Sequence, residues 1–335
     1  MLPNWIIIGV PKASTSSLFR WLADHPQAAG STQKETYYFV DPGTHMFRPE
    51  CNIRDHGIAG YEGHFAQCDA AAKVVVEATP SYIYSETALR DLPKLPTRPS
   101  FIVVLREPVA QLRSLHTYFQ QNWSWIPGDM PFRDFIAASE EEAPAFRGNE
   151  LAKDALANAW YTDHLRRWNA AVGADRMLVI LFDDLVSDSR GVMRHLADRM
   201  RIDPDFYDSY DFPVENSTYI ARSKWLQRLN IAIRSHLPRG PMYRWLRRRY
   251  RALNTRRPMD GDRDPAFERL LSRRFAPMLE ELEQDFGLDV TRWRRQAGRP
   301  NSMTDAEMRV SEAPRPPASL GKVMAAGSAA ESVQL

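Results

Sequence analysis

Four short runs of apolar residues recur between residues 5 and 182 without alternating with polar residues. They are Trp5–Val10, Val74–Val76, Phe101–Leu105 and Met177–Phe182. Strands that are covered by helices on both faces of a parallel sheet have this composition, because neither face meets water. The pattern therefore predicts the central strands of a parallel sheet.

Helical periodicity fills the intervals between these runs. The segment Ser14–Asp24 places Leu18, Trp21 and Leu22 on one face, and Pro108–Gln121 and Leu156–Val172 repeat the pattern. Strands that alternate with helices along the chain are typical of α/β proteins. We expect a three-layer α/β fold in which helices flank a central parallel sheet.

Two stretches near the end of the chain depart from this alternation. Residues 216–259 contain twelve Lys and Arg but no Asp or Glu, and aromatic residues are interleaved with these cations. Residues 299–335 are rich in Pro, Ala, Ser and Gly and have no apolar periodicity, which is typical of disorder. We therefore expect one domain over residues 1–298, containing the basic segment 216–259, and a disordered tail over residues 299–335.

Cysteine content and hydropathy limit the classes of protein. Cys51 and Cys68 are the two cysteines, too few for a disulfide framework and without metal-site spacing. One disulfide remains open beside the simpler interpretation of two free thiols. No apolar run approaches the ~20 residues of a membrane-spanning helix. We expect a cytoplasmic protein without a spanning segment.

The first apolar run leads directly into a candidate phosphate site. Lys12 follows the strand, and a run of hydroxyl residues opens the next helix: Ser14, Thr15, Ser16 and Ser17. Helix N-termini bind anions through free amides, and a lysine adds a point charge. A plain helix cap explains a serine or threonine here, but neither the lysine nor four hydroxyls in succession. The segment lacks the G-x-x-x-x-G-K-[ST] pattern of nucleotide triphosphatases, although Asp183 and Asp184 leave a kinase open as an alternative.

A second strand end carries chemistry of the same kind. Arg106 ends the run Phe101–Leu105, Pro108 suits the first turn of the next helix, and Ser114 follows two turns later. Ligands of open α/β sheets bind at such strand ends, and arginine binds phosphate oxygens through two parallel hydrogen bonds. A structural ion pair with Glu107 is the competing interpretation of Arg106.

The two motifs together resemble those of the sulfotransferases, enzymes that use 3′-phosphoadenosine 5′-phosphosulfate (PAPS). The segment Pro11–Leu18 resembles their loop PKxGTTSL, with Ser14 at the usual glycine and Ser16 at the second threonine. The resemblance implies a P-loop-like fold and a lysine, Lys12, that contacts the oxygen bridging phosphate and sulfur. It also implies a 5′-phosphate site formed by Lys12, Ala13, Ser14, Thr15, Ser16 and Ser17.

Further segments extend the resemblance. Arg106 and Ser114 match the family's 3′-phosphate motif. Lys34–Phe39 resembles the K-E-x-x-[FY]-F segment of heparan sulfate and related bacterial sulfotransferases, which implies that Glu35 is the general base. His116, two residues past Ser114, is an alternative base. Glu77–Tyr82 resembles their E-x-[ST]-P-x-Y segment, and Ala78 replaces a lysine usual in heparan members, which argues against a heparan-type acceptor. The late basic loop of the family corresponds to Arg256 and Arg257.

The resemblance implies sulfuryl transfer to a hydroxyl, or less readily an amine, of a carbohydrate, glycolipid or other small acceptor, without a metal ion. The product would be adenosine 3′,5′-bisphosphate (PAP). A nucleotide-dependent kinase and a non-catalytic nucleotide-binding protein remain alternatives. The basic segment 216–259 suits a solvated face, an anionic membrane or lipid-linked acceptor at the inner membrane face, or a soluble polyanion. Nucleic acid is not an expected partner, because the phosphate sites already suit a small nucleotide.

Overall fold

A computed structural model of the chain describes residues 1–120, 125–141, 146, 148–215, 220–221, 255–256 and 264–297. Most of the basic segment and the whole predicted tail lie outside the described residues. The two-residue stretches at 220–221 and 255–256 are described for their backbone alone.

A five-stranded parallel sheet forms the centre of the described chain, with strand order β2-β3-β1-β4-β5. The four strands predicted from apolar runs are confirmed within one or two residues at their ends. The additional edge strand, β2, consists of small residues and has no apolar run to reveal it. The strands are β1 (Trp5–Gly9), β2 (Ala28–Gly30), β3 (Val74–Ala78), β4 (Ser100–Leu105) and β5 (Met177–Leu181).

The strand order reverses beside β1, and this reversal determines where a ligand can bind. The chain runs from β1 outward to β2, returns through β3, and then crosses to β4 on the other side of β1. Ile7 of β1 is in register with Ala78 of β3 and with Ile102 of β4. Because all three strands are parallel, their carboxyl ends meet at one edge, which is where open α/β sheets bind ligands.

Helices cover both faces of the sheet. The first six are α1 (Thr15–Ala23), α2 (Ile53–Glu62), α3 (Glu86–Asp91), α4 (Pro108–Tyr118), α5 (Phe132–Glu140) and α6 (Glu150–Lys153). The next four are α7 (Ala155–Asn158), α8 (Tyr161–Val172), α9 (Phe182–Ser187) and α10 (Ser189–Met200). After a two-stranded antiparallel pair, β6 (Ile220–Ala221) with β7 (Thr255–Arg256), come α11 (Pro265–Arg274), α12 (Ala276–Phe286) and α13 (Thr291–Ala297).

Helix α1 packs tightly against the edge of the sheet. Its predicted apolar face, Leu18, Trp21 and Leu22, is buried. Gly30 in β2 permits this approach, since a Cβ there would lie 2.8 Å from Phe19 Cζ and 3.0 Å from the Ala23 Cβ. The absence of a side chain at Gly30 therefore fixes how closely α1, which follows the candidate phosphate loop, approaches the sheet.

Two helix predictions need correction. The periodic stretch Leu156–Val172 is two helices, α7 and α8, because the chain turns at Trp160, whose ring packs against Phe275 at a centroid distance of 5.5 Å. The stretch Asp264–Trp293 resembles the closing helix of the family, which implies one helix, but the structure divides it among three helices. It breaks at Phe275 and at Gly287, which ends α12 in the left-handed region. In both places tertiary packing or a helix cap overrides a continuous apolar pattern.

The two thiols do not pair with each other. Cys51 Sγ lies 3.3 Å from His64 Nε2, and Cys68 Sγ donates to the Gly30 carbonyl at 3.5 Å. None of the helices in the described ranges is long and apolar enough to span a bilayer.

Trp293 joins the last helix, α13, to α9, the helix that directly follows β5. Trp293 is 1% exposed, and its indole Nε1 donates to Asp183 Oδ2 at 2.7 Å. We predict that Trp293→Ala lowers the free energy of unfolding by about 3–5 kcal/mol, because it leaves a cavity and an unpaired carboxylate. Urea unfolding measures this, with Arg292→Ala as the control: that side chain is exposed, and we expect a change within about 0.5 kcal/mol. Equal urea midpoints for the two variants would contradict the role of Trp293.

Candidate active site

The loop between β1 and α1 contains two residues with left-handed backbone conformations. Lys12 and Ser14 both adopt left-handed conformations, with φ of 69° and 59°. A residue with a side chain pays about 1–2 kcal/mol for this region, which glycine enters freely. Ser14 stands where the resembling loops have glycine, so its backbone keeps the conformation that a glycine would take. The loop leads into the first turn of α1, whose amides lack partners within the helix.

The hydroxyls of the loop are not equivalent. Thr15 and Ser17 are buried, whereas Ser14 and Ser16 are partly exposed. Ser17 Oγ accepts a hydrogen bond from the backbone N–H of Glu215 at 3.0 Å. Ser17 therefore also anchors the chain just before the basic segment. Ala13, fully buried, contributes only its backbone to the loop.

Arg106 lies against this loop and connects the two predicted phosphate motifs. Its Nη1 donates to the Lys12 carbonyl at 2.9 Å, and its guanidinium lies 4.7 Å above the ring of Phe182. The Lys12 ammonium lies 4.5 Å from the ring centre of Tyr118 in α4. The structure thus brings both predicted cations to the switch point between β1 and β4.

Burial and mutual repulsion perturb both cations. Burial and, to a smaller extent, the charge of Arg106 lower the pKa of Lys12 to about 8, against the raising effect of Glu35. Burial also lowers the pKa of Arg106. Two cations that are partly desolvated beside a helix N-terminus form a site that an anion would stabilise. The donor set fits a phosphate or phosphosulfate group.

Helix α4 supports the loop from below. Glu107 caps the helix by accepting from the amides of Val109 and Ala110 at 3.2 and 2.6 Å, so the ion pair with Arg106 is not its main contact. Gln111, fully buried, donates from Nε2 to the Pro11 carbonyl at 3.2 Å. Ser114 is buried on the same helix. The predicted 3′-phosphate motif is therefore attached to the predicted 5′-phosphate loop.

His116 lies away from this cluster of contacts. Its Nε2 lies 2.8 Å from the Met130 carbonyl, and its ring packs against Phe132 and Phe135. This environment favours a packing role for His116 over the alternative role as general base.

Glu35 lies close enough to Lys12 for each charge to affect the pKa of the other group. Lys34 Nζ donates to its Oε1 at 2.8 Å, and the Tyr37 hydroxyl donates to its Oε2. Burial alone would raise the pKa of Glu35, but Lys34, Tyr37 and Lys12 together outweigh it and hold that pKa below the usual value. Glu35 is therefore ionised at neutral pH. Each carboxylate oxygen of Glu35 accepts one of these hydrogen bonds and has a second lone pair for an incoming hydroxyl.

Glu77, at the end of β3, is fully buried beneath the Glu35 segment. Its Oε1 accepts from Thr36 Oγ1 at 3.2 Å and from Thr79 Oγ1 at 2.5 Å. Burial raises the pKa of Glu77 to about 8, against the lowering effect of these hydrogen bonds. Glu77 is therefore largely protonated at neutral pH.

Three aromatic contacts of the site had not been predicted: Tyr37 on Glu35, Tyr118 under Lys12, and Phe182 under Arg106. Tyr37 lies in the segment Lys34–Phe39 and Tyr118 in the helix predicted over Pro108–Gln121, yet no local pattern distinguishes either residue from a core aromatic. Of the late basic residues, Arg256 belongs to β7, and Arg257 lies outside the described residues. Among the described side chains, no group of three or more His, Cys, Asp and Glu is arranged to hold a metal ion.

Comparison with known proteins gives one consistent class. No family model matches the chain. It is 33% identical over 163 residues to the membrane-associated sulfotransferase kil1 of Dictyostelium discoideum, covering 46% of this chain and 32% of that protein. It is 29% identical over 216 residues to mouse heparan sulfate glucosamine 3-O-sulfotransferase 6, covering 61% of this chain and 55% of that protein. The chain spans less than two thirds of the length of these relatives.

A solved structure shows the same fold. The sulfotransferase from Alicyclobacillus acidocaldarius superposes with a TM-score of 0.62 at 20% identity, covering 88% of this chain and all of that one. The three-layer parallel-sheet fold expected from the sequence is thereby confirmed as a P-loop-like fold.

The neutral state of Glu77 generates a prediction about stability. The pKa of Glu77 is near 8 in the folded state but near 4.3 in the unfolded state. Between these values the unfolded chain loses a proton that the folded chain keeps. The contribution of Glu77 to the free energy of unfolding should therefore fall as pH rises, with a limiting slope of about 1.4 kcal/mol per unit.

The variant Glu77→Gln should lack this slope, because its amide does not ionise. Urea unfolding at pH 5, 6 and 7.5 measures the difference between the two proteins, and we expect Glu77→Gln to gain relative stability at each step. A constant difference across this range would show that Glu77 is charged in the folded state.

Proposed function

We propose, from its sequence similarity and its fold, that the chain is a sulfotransferase and that it transfers a sulfuryl group from PAPS to a hydroxyl group. The observation that carries the proposal is the meeting of Lys12, Arg106 and the α1 N-terminus at the switch point beside β1, with the Glu35 carboxylate in the same electrostatic site. A donor anion, a leaving phosphate and an acceptor proton each have a matching group there.

Each residue has a separate task in the proposed reaction. When bound, PAPS supplies the sulfuryl group and leaves as PAP. Glu35 accepts the proton of the acceptor hydroxyl as the new O–S bond forms. As the bond between sulfur and the phosphate oxygen breaks, Lys12 stabilises the charge on that oxygen, a role typically worth a few kcal/mol. The loop residues 13–17 hold the 5′-phosphate, and Arg106 with Ser114 holds the 3′-phosphate.

A carbohydrate-type hydroxyl is the acceptor class that we propose. The names of several relatives specify sulfation of heparan sulfate glucosamine. In this chain Ala78, fully buried, stands where heparan-type members usually have lysine. The absence of that lysine favours a less charged carbohydrate or glycolipid over heparan itself.

A kinase and a non-catalytic nucleotide-binding protein predict different behaviour. A kinase should bind ATP with magnesium, whereas the proposed enzyme should bind PAP with added chelator. A panel of carbohydrate acceptors, incubated with labelled PAPS and analysed by mass spectrometry, separates the enzyme from a binding protein. A product heavier by one sulfuryl group supports transfer, and binding of PAP without any product supports the non-catalytic alternative.

Removing the lysine of the loop should abolish chemistry and spare the fold. We predict that Lys12→Ala loses most of its turnover, because the leaving oxygen then lacks its cation. Thermal unfolding should remain close to wild type, since Lys12 lies on a loop. Near-wild-type turnover in this variant would refute the assignment of the loop.

Removing the arginine should act mainly on binding. We predict that Arg106→Ala weakens PAP binding by about tenfold or more, because charge-assisted hydrogen bonds to a ground-state phosphate are lost. Isothermal titration calorimetry measures the dissociation constant, with Lys12→Ala as the comparison. An unchanged dissociation constant in Arg106→Ala would contradict the assignment of Arg106 to the 3′-phosphate.

The base assignment is tested by an isosteric change. Glu35→Gln keeps the size of the side chain but does not accept the proton, so turnover should fall by about 10²–10⁴-fold with PAP affinity nearly unchanged. Steady-state kinetics and PAP titration provide the two measurements, with His116→Ala as the competing variant. If His116→Ala proved the more damaging change, the base would have to be reassigned to His116.

The basic segment 216–259 is proposed to contribute Arg256 and Arg257 to the nucleotide site and to make a peripheral contact with anionic membrane. The residues on either side of the segment support this proposal. The backbone N–H of Glu215 donates a hydrogen bond to Ser17 Oγ in α1, and Glu268 forms an ion pair with Arg113 in α4. The chain thus enters and leaves the segment on the two helices that follow the phosphate motifs.

Vesicle co-sedimentation tests the membrane contact. Each basic residue near an anionic surface contributes about 1 kcal/mol at low salt. We predict binding to vesicles containing phosphatidylserine that is lost at high salt and in the triple variant Arg247→Glu, Arg248→Glu and Arg249→Glu. If the protein did not bind vesicles at low salt, or if the triple variant bound as well as wild type, the membrane contact would be contradicted and the basic segment would be a solvated face.

A further inference from the structure

The residues that carry Glu35 belong to no helix or strand. Residues 34–39 form an irregular segment in which Tyr37 adopts a left-handed backbone conformation, with φ of 53°. Backbone amides buried in such a segment need partners from elsewhere, because an unpaired amide costs about 1–3 kcal/mol. The groups that accept these amides therefore also determine the direction in which the Glu35 side chain points.

Four consecutive amides of the segment donate to side chains from one short stretch, residues 77–82. Thr36 N donates to Glu77 Oε1 at 3.4 Å, and Tyr37 N donates to Thr79 Oγ1 at 3.4 Å. The amides of Tyr38 and Phe39 both donate to the Tyr82 hydroxyl, at 3.0 and 3.3 Å. We name Glu77, Thr79 and Tyr82 the buried acceptor cluster.

The members of the cluster are also linked to one another. The Tyr82 hydroxyl lies 2.8 Å from Thr36 Oγ1, and both Thr36 Oγ1 and Thr79 Oγ1 donate to Glu77 Oε1. Glu77, Thr79 and Tyr82 are fully buried. One carboxyl oxygen therefore anchors a network that reaches every amide from residue 36 to residue 39.

The surroundings of Glu77 explain why a carboxyl group can serve here. Its Oε1 takes all of the hydrogen bonds, while Oε2 is buried without a partner in the described part of the chain. The titratable groups that face it are Lys34 from the Glu35 segment and the phenols of Tyr61 and Tyr82. A proton on the unpartnered oxygen leaves Oε1 as a neutral acceptor, so the network needs no buried charge.

We propose that the buried acceptor cluster of Glu77, Thr79 and Tyr82 positions Glu35 for proton abstraction, acting through the backbone of residues 36–39 and not by contact with substrate. The proposal rests on the proposed function, in which Glu35 is the base. It assigns a purpose to the E-x-T-P-x-Y sequence: its glutamate, threonine and tyrosine hold the neighbouring K-E-x-x-Y-F segment in one conformation.

Single-atom changes test the cluster with little loss of packing. Tyr82→Phe removes the hydroxyl that receives two amides, and Tyr84→Phe is its matched control, since the buried Tyr84 hydroxyl lacks a partner among the described residues. We expect Tyr82→Phe to lower kcat by about tenfold or more, because small misplacement of a reacting group has effects of this size. PAP affinity should stay within about twofold, and Tyr84→Phe should match wild type in both measurements.

A double-mutant cycle separates positioning from general destabilisation. In the Glu35→Gln background, Tyr82→Phe should lower kcat by less than about twofold, because the group that it positions is already gone. Glu77→Gln keeps the carbonyl oxygen as acceptor, so its kcat should remain within about threefold of wild type, whereas Glu77→Leu should resemble Tyr82→Phe. Full additivity of Tyr82→Phe and Glu35→Gln would overturn the proposal.

Hydrogen exchange gives a readout that does not depend on catalysis. The amides of Tyr38 and Phe39 should exchange at least about tenfold faster in Tyr82→Phe than in Tyr84→Phe, since the Tyr82 hydroxyl that accepts both of them is lost. If Glu35→Gln kept wild-type turnover, the base assignment would fail, and exchange would still decide whether the cluster holds the segment. Unchanged exchange in Tyr82→Phe would refute the cluster itself.

Discussion

The shared direction of three neighbouring strands is the constraint on which the site depends. Because β1, β3 and β4 are parallel and adjacent, the residues that follow them emerge at the same edge of the sheet. Lys12 follows β1, Arg106 follows β4, and Glu77 is the second-last residue of β3. Residues far apart in sequence thus meet without a long connection, and the close packing of α1 at Gly30 fixes the helix that receives the anion.

The charges at this edge follow from that crowding. Two cations, Lys12 and Arg106, lie partly desolvated next to each other. For each of them, contact with an aromatic ring offsets part of the free-energy cost of burying the charge. The ionised carboxylate, Glu35, is stabilised by Lys34 and Tyr37. The more deeply buried Glu77, lacking a cation at bonding distance, keeps its proton instead. Depth and access to counter-charge together decide which carboxyl group is ionised.

The sequence predicted those features that local chemistry determines. Apolar runs indicated four of the five strands of the central sheet. Residue types at two strand ends predicted the two phosphate sites. Features made by contacts distant in sequence escaped prediction. Trp160 interrupts a periodic helix because Phe275 receives its ring, and β2 pairs through its backbone with small residues that carry no apolar signal. Tyr37 and Tyr118 have the same sequence pattern as any core aromatic, so their position in the site required the fold.

The protonated Glu77 makes a solvent proton part of the native state. When the chain folds near neutral pH, the carboxylate of the unfolded chain takes up a proton from the buffer and encloses it. The heat of unfolding measured by calorimetry then includes the ionisation heat of the buffer that receives this proton. Phosphate and amine buffers, whose ionisation heats differ, should therefore give different apparent enthalpies at the same pH, and the difference counts the protons that the fold encloses.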